Sequence, residues 1–139
     1  MNFDRATKII EKVFPIYEEL LGLEDWAIKI DCQRLDDAVG DVYVHADYKR
    51  ARIRLDIEEF DTDEKMVQTL RHELLHVFLW TFDAWGVYAK AKLGERWGQE
   101  DDAMHTFFSE RQVGALEALL DGMGLPDLGL DMPELLEYN

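Results

Sequence analysis

The sequence predicts an α+β fold, and three observations predict it. An apolar stripe with helical spacing opens the chain, three short runs then alternate apolar with polar residues, and helical spacing returns in the second half. The 139 residues are room for one domain, read here as 1–139 with an acidic tail at 122–139.

Residues 3–21 carry Ile9, Val13, Ile16, Tyr17 and Leu20 at three- and four-residue steps, with Glu11, Lys12, Glu18 and Glu19 opposite. Pro15 removes a backbone donor inside this pattern and is expected to kink or split the helix. Gly22 is a natural stop. Trp26, Ile28, Ile30 and Cys32 then alternate with Ala27, Lys29 and Asp31, which is a strand with one buried face. Val42, Val44 and Ala46 form a second such run, and Ala51, Ile53, Leu55 and Ile57 a third. The short polar link Asp47-Tyr48-Lys49-Arg50 makes the last two a hairpin. A twisted, largely antiparallel sheet of three or four strands is expected, its final strand at the edge.

Asp61-Thr62-Asp63-Glu64 supplies N-cap residues, with Asp61 and Glu64 at nearly the spacing of a capping box. The helix that follows has Val67, Leu70, Leu74 and Val77 on one stripe and runs to about Trp80 or Phe82. Residues 83–99 read as a partly helical connector over the surface. Of the aromatics Trp80, Phe82, Trp85, Tyr88 and Trp97, most are expected in the core and some at a cleft. A closing helix over about 101–121 turns Val113, Leu116, Leu119 and Leu120 inward.

Composition narrows the function. The chain is 47% hydrophobic with a formal charge of −15, a field that repels phosphate backbones. Lys49, Arg50, Arg52 and Arg54 are its densest basic group and have acids on both sides. No nucleic-acid partner is expected. The lone Cys32 excludes an internal disulfide and reads as a core residue in a reducing compartment. No run approaches the roughly 18 apolar residues of a membrane span, and the opening residues lack a signal-peptide pattern. A cytoplasmic protein without a membrane partner is expected.

His72-Glu73-Leu74-Leu75-His76 carries the chemistry. Residues four apart on a helix lie about 40° apart in projection and one turn up, so both imidazoles open into one space. Two neutral imidazoles so placed can share a tetrahedral Zn²⁺ and leave room for a third ligand and a water. Glu73 is turned about 100° from His72. That keeps it off the metal and within reach of the water as general base. Both histidines fall off the stripe of Leu70, Leu74 and Val77, so packing gives little reason for them. His45, in the second strand, reads as outward and solvated.

Several stretches together resemble the minimal zincin metallopeptidases, in particular small zincin-like proteins encoded by phages and prophages. They are Trp26-Ala27-Ile28, Tyr48-Lys49-Arg50-Ala51-Arg52-Ile53, Thr69-Leu70-Arg71-His72-Glu73-Leu74-Leu75-His76, and Glu110-Arg111-Gln112-Val113 with Leu116 and Leu119-Leu120. The resemblance implies zinc on His72 and His76, Glu73 as catalytic base, and a third ligand from the last helix. It implies hydrolysis of peptide bonds, with a polypeptide substrate. After His76 there is no third-histidine extension of the metzincin kind, and there is little room for the second subdomain of the long zincins. The alternative is a binding module that keeps the metal for structure and docks on a host protein.

The third ligand has two main candidates. On an unbroken last helix His105 lies about 20° from Leu116, near the middle of the inward stripe, and Glu110 about 60° from Val113, at its edge. A metal at the end of a layer meets the edge of a stripe, since apolar side chains fill the centre. The resemblance also places a ligand glutamate three residues before a valine. Glu110 is preferred over His105, with Asp101, Asp102 and Glu117 next.

Overall fold

A computed structural model describes residues 1–122, leaving out the side chains at positions 46 and 81–83. The first helix, α1 (Phe3–Leu20), starts at Asn2, whose side chain accepts the Arg5 N–H at 2.8 Å. It ends where Gly22, at φ 66°, donates to the Glu19 carbonyl and Leu23 donates to that of Glu18. The helix is not split at Pro15. Pro15 and Glu11 lie on the exposed side, where water can serve the carbonyl that the missing N–H leaves unpaired.

Three strands follow: β1 (Ala27–Cys32), β2 (Gly40–His45) and β3 (Arg50–Leu55). Alternation placed them well, except that Trp26 stands just before β1, and Ala46 and Ile57 fall in the short 3₁₀ turns Ala46–Tyr48 and Ile57–Glu59. The hairpin of β2 and β3 is antiparallel, but β1 runs parallel to β3, with Ile30 opposite Ile53. The order is β1-β3-β2, so half the pairing is parallel and the last strand is central, not at the edge. Asp56 helps to hold this crossing. Its carboxylate accepts the Leu35 N–H at 3.0 Å, and its own N–H donates to the Val39 carbonyl at 2.9 Å.

Arg52 and Arg54 on the outer face of β3, and Lys49 just before the strand, each have a neighbouring acid. Arg52 meets Asp31 at 2.6 Å, Arg54 meets Asp41 at 2.7 Å, and Lys49 pairs with Asp25. The inner face packs under α2 (Asp63–Phe78). Its cap is Thr62, one residue beyond Asp61, accepting the Lys65 N–H at 3.1 Å. Lys65 then stands where a capping box needs Glu or Gln. Met66, Val67, Leu70, Leu74 and Val77 of α2 share one core with Ile9, Val13 and Tyr17 of α1 and Ala51, Ile53 and Leu55 of β3. The α+β architecture expected from the sequence is the one observed.

The connector is more helical than expected. It is mostly α3 (Trp80–Leu93) with a turn at Gly94–Arg96. Trp80 packs on Trp26, but Trp85 and Tyr88 are exposed, not core. The last helix, α4 (Gln99–Gly122), lies along α2, where Val113 and Leu120 cover Leu75. Leu119, expected inward, is 56% exposed. The tail, from 123 on, lies outside the described residues. Among the described residues no helix is long and apolar enough to cross a membrane.

Candidate metal centre

The apolar stripe of α2 is spent on the sheet and α1, and its far side is left for polar work. His72 and His76 stand about 160° from Leu74 around the helix, where α4 covers them. His76 is 7% exposed and His72 half-buried. Their rings sit 5.1 Å apart at 69° to one another.

Glu110 bridges them from α4. One carboxylate oxygen lies 3.0 Å from His72 Nε2 and the other 3.0 Å from His76 Nε2. Among the described residues this is the one group of three or more such side chains that could hold a metal, its ligand atoms all within 4.8 Å of one another. Bonds of about 2.0 Å to a tetrahedral Zn²⁺ would set the ligands about 3.3 Å apart. Two imidazoles and a carboxylate are a donor set that Zn²⁺ accepts, so the residues fit the ion.

The other ring nitrogens are occupied as well. His72 Nδ1 lies 2.7 Å from Glu117 Oε1, and His76 Nδ1 lies 3.3 Å from Ser109 Oγ. With Nδ1 protonated, each ring donates outward and turns its Nε2 lone pair toward Glu110. Arg71, fully buried, holds this second layer by donating to Asp121 at 2.9 Å and lying 3.7 Å from Glu117.

Glu73 leaves α2 toward β2. One turn earlier α2 packs close on β2 at Gly40, the first residue of that strand, where a Cβ would meet Thr69 Cγ2 at 2.9 Å. Glu73 is 6% exposed and lines a cavity of about 260 Å3 with Gly40, Asp41, Val42, His76 and Glu110. Burial pushes its carboxyl up to about 7, and the charges of Glu110, Asp41 and Glu117 add to this against the opposing pull of His72. His72 is itself raised. Desolvation lowers it, but Glu117, through its hydrogen bond and charge, outweighs that with help from Glu73 and Glu110.

All four residues of the expected site therefore meet in one place. His105 lines the same cavity but stands outside the three-residue cluster, near the rings of Trp85 and Trp97. Asp102 accepts the Trp97 indole N–H, and Asp101 accepts the N–H of Gly98. His45 is exposed, as expected. Cys32 is half-buried against the core with its thiol raised by burial and by Asp31, which makes it a poor nucleophile. Sequence reasoning did not assign Ser109 or Arg71, and it ranked Glu117 only as a spare ligand. A signal for Glu117 was present: seven residues after Glu110, it lies within about 20° of it on the same helix face.

Comparison with family models, curated proteins and solved structures returns no match.

Proposed function

We propose that this chain is a zinc-dependent peptidase of the minimal zincin-like type. The observation that carries the reading is Glu110 set between the two Nε2 atoms, with both Nδ1 atoms held from behind. His72, His76 and Glu110 would hold the ion. When bound, it supplies a Lewis acid that polarises a carbonyl and lowers the pKa of a water to about 7.

The chain's own residues do the rest. Glu73, buried beside the cluster, accepts a proton from the attacking water and delivers it to the leaving amine as the carbon–nitrogen bond breaks. The burial that raises this carboxyl favours its holding the proton between the two transfers. The edge of β2, beyond which no described strand lies, positions the substrate. Asp56 N–H donates to the Val39 carbonyl, and by alternation the backbone groups of Gly40, Val42 and Val44 face away from β3. Gly40 and Val42 line the cavity, so an extended polypeptide can add to this edge and bring a peptide bond beside Glu73. The paired arginines and the −15 charge favour basic or neutral polypeptides over nucleic acid.

Elemental analysis of purified wild type, His72→Ala/His76→Ala and Glu73→Gln tests this, together with hydrolysis of an unfolded protein and a peptide library. The wild type should hold one zinc and hydrolyse, the double variant should hold none, and Glu73→Gln should hold zinc without hydrolysis. Zinc without hydrolysis in the wild type would favour the binding module with a structural metal. Full zinc in the double variant would sink both readings.

A further inference from the structure

The sheet has two ends, and only β2 belongs to the metal cavity. β1 is the other end, with no described strand beyond it. Its ladder to β3 uses the N–H of Ala27, donated to Lys49, and is continued by that of Gln33, donated to Leu55. By alternation Ile28, Ile30 and Cys32 turn their backbone N–H and C=O away from β3. Their side chains continue the core but stay half-buried, while Ala51, Ile53 and Leu55 on β3 are at most 5% exposed. The core layer is open on this flank. A groove of about 590 Å3 runs there between β1 and the Phe3, Thr7 and Ile10 side of α1. β1 reads Ala-Ile-Lys-Ile-Asp-Cys, without the proline or bulge that blocks many edges, and its two charges, Lys29 and Asp31, are of opposite sign.

We propose that this edge pairs with β1 of a second copy, antiparallel about a two-fold axis through Ile30. The register is argued from the sequence of the strand. Centred on Ile30, the pairing sets Ile28 opposite the partner's Cys32 and Ile30 opposite the partner's Ile30. These are the residues with outward backbone groups, so each finds its hydrogen-bonded partner. On the core face the pairs are all apolar. On the solvent face Lys29 meets the partner's Asp31, and Asp31 meets the partner's Lys29, an opposite-charge pair made twice. Asp31 can serve both neighbours, because Arg52 binds its Oδ2 while Oδ1 has only Lys29 at 3.8 Å. A shift by two residues in either direction brings like charges or unmatched ends together, so this register is the self-complementary one. The product is a six-stranded sheet with both β2 edges free at its ends.

Sedimentation of the full chain over micromolar concentrations tests the pairing, beside the Lys29→Glu chain. Lys29 is largely exposed and its change leaves the core alone. The wild type should sediment as a dimer. Lys29→Glu should keep the circular dichroism spectrum and raise the dimer Kd about tenfold, as two attractive pairs become repulsive. In a Cys32→Ser background, Lys29→Cys and Asp31→Cys chains should cross-link when mixed, because facing non-hydrogen-bonded residues lie about 4.5 Å apart between Cα atoms. A monomeric wild type, a Lys29→Glu chain that dimerises as tightly as wild type, or a mixture without the disulfide would each overturn the proposal.

Discussion

Glu117 stands 2.7 Å from His72 Nδ1, on the side of the ring opposite Glu110. The two carboxylates come from one face of α4, two turns apart, and clamp the imidazole between them. When Nδ1 donates to Glu117, Nε2 is left to face an ion beside Glu110, and Arg71 lies 3.7 Å from Glu117 on the buried side.

Loss of that carboxylate should loosen the metal without removing a ligand. Glu117→Ala is expected to weaken zinc binding about 10- to 100-fold. Glu117→Gln keeps an accepting oxygen and should lose less. Competition with a chromophoric chelator measures both. Wild-type affinity in the alanine variant would mean that His72 is oriented by something else.

The third ligand is decided by a pair of variants. Glu110→Ala should cost far more zinc affinity than His105→Ala, because Glu110 touches both Nε2 atoms and His105 lies outside the cluster. The reverse order, in the same chelator assay, would return the role to His105.

Much of this arrangement could be read from residue spacing. The stripe of Val67, Leu70, Leu74 and Val77 located α2, and its periodicity also told which side His72 and His76 would occupy. What alternation cannot tell is which strand lies beside which. Ile28 and Ile30 announce a buried face equally well at an edge or a centre, so the parallel β1–β3 pairing was hidden. α3 was missed in part because Trp85, Val87 and Tyr88 are all exposed and make no inward stripe. Leu119 misled for the opposite reason. Its apolar side chain sits beside Leu120, which took the inward position. The choice of Nδ1 for Glu117 depends on how α4 is rotated against α2, which no local pattern reports.

Acidity gives a test of the site without metal. Glu73 ionises near its ordinary 4.5 in the unfolded chain and at about 7 in the folded one. Between these values the folded state binds the extra proton, so the contribution of Glu73 to stability is greatest below about 4.5 and is lost as pH rises toward 7. His72, also raised, adds loss in the same direction above its ordinary 6.5. The fall attributable to Glu73 is on the order of 3 kcal/mol. Urea unfolding with a chelator present at pH 5, 6 and 7 should show it, and Glu73→Gln should flatten it. A stability that rises over this range would contradict the buried placement of Glu73.

The core makes a simpler contrast. Leu74 is 0% exposed among α1, β3 and α2 residues, and Leu74→Ala should cost about 2–5 kcal/mol. Leu119→Ala should stay within about 0.5 kcal/mol of wild type. Denaturant midpoints at equal slope would compare them directly, and a large loss at Leu119 would mean that this surface is covered in solution.

Gly86 and His105 offer the last test, and it needs neither metal nor activity. Gly86 is buried in α3, and a Cβ there would be driven into the His105 ring, with Cδ2 at 2.6 Å. Helix propensity alone would favour Gly86→Ala by about 1 kcal/mol. The clash opposes this, since overpacking costs about 1–3 kcal/mol, and backbone and ring are both held, the ring by Trp85 and Trp97 on its flanks. Gly86→Ala should therefore destabilise. His105→Ala removes the obstacle, so Gly86→Ala made in that background should be neutral or stabilising. The double-mutant cycle isolates the contact from every other effect of either change. A coupling of at least about 1 kcal/mol is expected from the clash it relieves. Additive effects, by contrast, would show that α3 does not press on α4 at His105.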